Sequence, residues 1–98
     1  MLKIFGHLVE VNYEILRGKN HNGLNNSDYN KMEINADLPT SKQEEVLLHE
    51  VFHNISDNLN LNLEEDTVQR LAVGLHTIIT DNPEVFSLDL PVDKEEMN

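Results

Sequence analysis

Pro39 divides this sequence into two stretches of different hydrophobic period, and that division limits the fold more than any other feature. Before it, apolar side chains recur at every second residue. After it, they recur at every third or fourth. Period two places alternate residues on one face of a strand, and a 3.6-residue period places them along one stripe of a helix. Purely helical and purely β architectures are both excluded. The expected class is α+β, a small antiparallel sheet followed by two packed helices, in a single domain over residues 1–98.

Val9, Val11, Tyr13 and Ile15 alternate with Glu10, Asn12 and Glu14, which predicts a half-buried strand. Leu2 and Ile4 begin an earlier strand, with Gly6 at a bend or bulge. Arg17 to Asn30 is rich in Asn, Gly and Ser, whose local hydrogen bonding competes with regular structure, and it reads as a long loop or hairpin end. Met32, Ile34 and Ala36 mark a second strand beside the first. Ser41 with Glu44 fits a capping box at a helix start. From there Val46, Leu47, Leu48, Val51, Phe52, Ile55 and Leu59 follow at helical spacing. A turn over 58–62 leads into a second helix, from about Leu63 to Thr80, which Asp81-Asn82-Pro83 ends. The acidic tail over 84–98 is expected to dock in part through Val85, Phe86, Leu88, Leu90 and Val92, to be disordered from Asp93 on, and to shield part of the active face.

Eighteen acidic residues against seven basic ones give a net charge of −11. Affinity for nucleic acid and for anionic membranes comes from Lys and Arg, so neither is an expected partner. The chain has no cysteine, hence no disulfide and no thiolate-bound zinc. Its apolar runs are a few residues long, too short to cross a bilayer. A cytoplasmic setting is the expectation.

The first helix carries His49-Glu50-Val51-Phe52-His53, the pattern H-E-x-x-H. Positions 49 and 53 stack on one helical face, one turn apart, where two imidazole nitrogens can grip one Zn²⁺. Glu50 projects beside them and can act as catalytic base on a zinc-bound water without ligating the ion. With five His and eleven Glu in the chain, random order gives about 0.03 such motifs. A catalytic zinc needs a third protein ligand and an open position. Antiparallel packing of the second helix brings Glu64, Glu65 and Asp66 toward His53. Glu65 lies nearest the inward stripe, but Asn62-Leu63-Glu64-Glu65 is itself a capping box, so ligand and cap are both open readings at Glu65.

The stretch LLHEVFH followed by EDTVQRLAVGL resembles the active-site helix and glutamate helix of gluzincin-type zinc metallopeptidases, especially minigluzincins and the ImmA/IrrE-like peptidases of phages and mobile elements. The likeness covers roughly residues 29 to 83 and includes the strand KMEINADLP. Their third ligand stands in a pattern like E-x-x-A-N-x-F-A, which places Glu65 on the ligand position and Leu71-Ala72 on the apolar pair. Val68 and Gln69 stand where a small and a polar residue often follow. The resemblance implies a zinc-dependent peptidase with His49, His53 and Glu65 as metal ligands, Glu50 as base, and a peptide or protein as substrate. It also implies substrate binding along a sheet edge, for which Lys31 to Asp37 is the candidate. The alternative is a non-catalytic phage-type interaction or inhibitor module with a structural or vestigial zinc site.

The remaining candidates read as structural. His76 is too far along its helix to join the same metal, and His7 and His21 are expected at the surface. Tyr29 reads as an anchor at a strand entrance before an oxyanion donor. Glu44, Glu45, Asp57, Glu64 and Asp66 form a solvated acidic face, which would favour basic substrates if it lines the cleft.

Overall fold

A computed structural model describes residues 1–86, so the readings for the tail beyond Phe86 lie outside the described residues. The elements run β1 (Leu2–Ile4), β2 (His7–Glu14), β3 (Gly23–Asn26), β4 (Lys31–Asn35), α1 (Thr40–Leu59), α2 (Glu65–Asp81) and α3 (Pro83–Phe86). The class is α+β, as the change of period at Pro39 predicts. No helix among the described residues is long and apolar enough to cross a membrane.

The four strands form one sheet in the order β1-β2-β4-β3. β1 and β2 make a hairpin through Phe5 and Gly6, with φ of 52° and 83°. Two consecutive positive φ values suit the right-handed twist of the flanking strands, and Gly adopts them freely where Phe does not. β2 and β4 are neighbours, as expected, but they run parallel, Val11 opposite Met32 and Tyr13 opposite Ile34. The sheet is therefore mixed and not wholly antiparallel. The sixteen residues between β2 and β4 (31 − 14 − 1) are long enough to carry the chain back for a parallel return.

That crossover also contains β3, a strand where the sequence reads as loop. Gly-Leu-Asn-Asn has little strand propensity. It is held by antiparallel pairing with β4 and by α1, which packs across β3 and β4. β3 takes the outer position, so Lys31 to Asp37 is not an edge: β4 is flanked on both sides. The free edge beside α1 belongs to Gly23–Asn26.

Val9, Leu16, Met32, Ile34, Val68 and Ala72 form the buried apolar core. Both expected capping boxes are absent. Pro39 occupies the cap of α1, which puts Ser41 inside the helix and past the first free amides. Gln43 instead donates to the Leu38 carbonyl at 2.8 Å, tying the first turn to the link from β4. The α1–α2 connection is set by Ser56, whose hydroxyl accepts the Leu63 amide at 3.0 Å, and by Asn60 and Asn62 at φ 58° and 54°. α2 then starts at Glu65, with Glu64 in the cap position and no side-chain capping bond. α3 is a single turn packed on α2.

Phe5 is half exposed and held at positive φ without compensating burial. Replacing it with Asn, which tolerates that region and suits this turn, should raise stability by about 1 kcal/mol in urea denaturation. A loss of stability would show that the Phe5 ring contributes packing that outweighs the backbone strain.

Candidate metal centre

His49 and His53 lie one turn apart on α1, and Glu65 opens α2 on the face it shares with Val68 and Ala72, three and seven residues on. Val68 and Ala72 are fully buried, and α2 packs on α1, so that face turns the Glu65 carboxylate toward the two imidazoles. The two Nε2 atoms stand 3.2 Å apart. Glu65 Oε2 is 2.7 Å from His49 Nε2, and its Oε1 is 2.9 Å from His53 Nε2. Ligand atoms at 2.0–2.1 Å from one tetrahedral ion lie about 3.3 Å from each other; the two imidazole nitrogens already stand at that spacing, while the Glu65 oxygens are at hydrogen-bond length from them. Glu64 and Asp66 are exposed, and Asp66 pairs with Arg70. Glu65 makes no capping bond, and its carboxylate faces both histidines.

The donor chemistry agrees with the spacing. His49 Nδ1 donates to Gln69 Oε1 at 2.7 Å, and an amide oxygen only accepts. That contact leaves Nε2 as the ring nitrogen of His49 turned toward Glu65 and His53. Gln69 follows Glu65 by four residues, on the same helical face. That spacing was available in the sequence as a signal of its role in orienting His49.

Glu50 is buried at 6% exposure on the sheet side of α1. Burial pushes its carboxyl above the ordinary value; the His49 and His53 rings pull it back, Glu65 raises it again, and His21 lowers it slightly. The backbone of β3 closes on Glu50 from the other side. A β-carbon on Gly23 would stand 2.5 Å from Val46 Cγ1 and 2.9 Å from Glu50 Oε2, so only glycine leaves the carboxylate its place.

Two clefts of about 280 and 330 Å³ meet here, and both are lined by His21, Gly23, His49, Glu50 and Glu65. His21 thus belongs to the site, contrary to the expectation of a surface loop residue. Its loop is clamped by Asn35, whose backbone amide donates to the Asn22 carbonyl at 2.8 Å and whose side chain donates to Asn22 Oδ1 at 3.1 Å. His21 Nε2 is shielded from solvent without a hydrogen bond, 3.9 Å from Glu33. Neither His21 nor Gly23 has a spacing in the sequence that would mark it. His76 joins Glu44 at 3.0 Å elsewhere on the helix pair, and Tyr29 is exposed at the β3–β4 turn.

In comparisons with known proteins, the chain matches no protein-family model, no curated protein and no solved structure.

The raised Glu50 carboxyl has a consequence for the metal-free protein. The native state holds this proton more tightly than the unfolded chain does, so its contribution to stability is full at low pH. That contribution is lost as pH rises from the ordinary carboxylate range through the raised native value. Glu50→Gln removes the loss. Metal-free Glu50→Gln should therefore gain stability over wild type as pH increases from 4 to 7, read as the difference in urea midpoints. A gap that narrows over the same range would mean that the fold stabilises the Glu50 anion.

Proposed function

We propose that the protein is a zinc-dependent peptidase, with His49, His53 and Glu65 holding the ion and Glu50 as the general base. The observation that carries this reading is the convergence of three ligand side chains from two helices, their ligand atoms all within 4.8 Å of one another, beside a buried carboxyl raised above its ordinary value. The likeness of LLHEVFH and EDTVQRLAVGL to gluzincin-type peptidases points the same way. When bound, zinc supplies Lewis acidity and lowers the pKa of water at the site.

The chain's own residues then divide the work. Gln69 fixes the His49 tautomer, so that Nε2 and not Nδ1 faces the ion. Glu50 accepts a proton from the attacking water and passes it to the departing amine as the C–N bond breaks. Glu65 keeps its side chain 71% exposed and His49 only 13%, which leaves one side of the triad open to a substrate. The free edge of β3 offers unpaired backbone groups to an extended peptide, which would add as a further strand. Gly23, at that edge, keeps the path to Glu50 clear.

The test begins with zinc. Metal-supplemented protein should bind one equivalent and cleave members of a mixed peptide pool, with cleavage abolished by chelator and restored by zinc. Failure to bind zinc would overturn the reading, and zinc without turnover would assign a structural site in an interaction module. Glu50→Gln should keep its zinc and lose hydrolysis by about 10²–10⁴-fold.

The two neighbouring glutamates separate ligand from bystander. Glu65→Gln should weaken zinc binding by more than roughly tenfold, since even supporting groups around a metal are worth that much. Glu64→Gln should leave affinity unchanged in a competitive chelator titration. The reverse result would move the third ligand to Glu64.

A further inference from the structure

Asp57 continues the metal-bearing face of α1. Positions 49, 53 and 57 follow one another at four-residue intervals, and Asp57 lines the larger cleft together with His49, His53 and Glu65. It is also held from the substrate side. Ser27 Oγ donates to Asp57 Oδ2 at 2.8 Å, and Asn25 Nδ2 donates to the same oxygen at 3.5 Å. Both donors belong to β3 or the turn that follows it. Among the described residues, none of the hydrogen bonds falls on Oδ1. The ion pairs of Lys and Arg among them go to Asp37, Glu45 and Asp66, leaving this carboxylate uncompensated. Asp57 is exposed, so a bound chain can reach it.

A carboxylate fixed through one oxygen and free at the other is a receptor for a cation with hydrogen-bond donors. Bidentate or monodentate contact from guanidinium or ammonium meets that need. Its place along the cleft follows from helix geometry. An ion held by both His49 and His53 lies level with the middle of the turn between them, six residues before Asp57. Six residues of α-helix advance about 9 Å, which an extended strand covers in about three residues. We infer that Asp57 sets the specificity of this cleft, and that its substrates are peptides carrying Lys or Arg about three residues from the bond cleaved, on the side nearer the β3–β4 turn. This inference rests on the peptidase reading above and adds the substrate class to it. The acidic chain as a whole, at −11, draws such peptides in.

The experiment uses the zinc-loaded full chain and a matched peptide set in which one Arg is moved through three positions on each side of a cleavable bond, with Gln at the same position as reference. Wild type should favour Arg over Gln at a single position, about three residues from the bond, by roughly tenfold in kcat/KM. Raising the salt should shrink that ratio. Asp57→Asn keeps an oxygen to accept the Ser27 bond and should bring the Arg-to-Gln ratio close to one. Asp57→Lys should invert the preference toward Glu at that position. Asp66→Asn, which removes an acidic group on the outer face of α2, should leave the ratio as in wild type.

A second measurement separates this inference from the peptidase reading. Zinc-loaded Glu50→Gln should bind a fluorescent Arg peptide more tightly than its Gln counterpart, and adding Asp57→Asn should erase the difference. Wild type that cleaves peptides without an Arg preference, or with one that survives Asp57→Asn, overturns the specificity assignment alone. Wild type that cleaves none of the peptides overturns the peptidase reading and, with it, this one.

Discussion

The position of the cleft depends on a polar seam between α1 and β3. Helices usually meet sheets through apolar side chains, yet the buried residues of α1 are Glu50, Asn54 and Ser56. Asn54 is 2% exposed, and its amide donates to Asn25 Oδ1 on β3 at 3.2 Å, while Asn58 donates to Asn54 Oδ1 at 2.7 Å. A buried amide left without a partner costs about 1–3 kcal/mol, so only one setting of the helix against the strand satisfies it. Asn54 follows His53 directly. The bond that seats the helix therefore also fixes how far His49 and His53 stand from the free sheet edge.

This seam explains which parts of the molecule could be read from the sequence. The two helices, β2 and β4 follow from periodicity, because apolar burial dictates their patterns, and β1 from Leu2 and Ile4 ahead of the bend at Gly6. His49, Glu50 and His53 come together through spacing within one helix, whereas for Glu65 the stripe of Val68 and Ala72 leaves ligand and cap both open, and only the resemblance to gluzincins selects ligand. β3 does not follow, because Gly23, Asn25 and Asn26 owe their strand conformation to partners far along the chain. Its absence from the sequence reading displaced two further expectations. The sequence pattern alone puts β4 at the edge and pairs β2 with β4 antiparallel, whereas the crossover that makes them parallel contains β3. His21 lies on that same crossover and enters the site only once the loop is anchored at Asn35.

The small apolar core completes the physical account. Four of its six residues belong to the sheet and the segment after β2, and α2 contributes only Val68 and Ala72. α2 is thus attached along a narrow strip, with Glu65 just beyond its end and exposed. The proposed reading requires that exposure, since a fully packed first turn of α2 would close the open side of the triad. An ion held by His49, His53 and Glu65 cross-links α1 to α2 where apolar packing gives out, and whatever binds the native state alone adds its binding free energy to folding. On the proposed peptidase reading, access for substrate and attachment of α2 compete for the same few residues, and a metal at the triad would satisfy both.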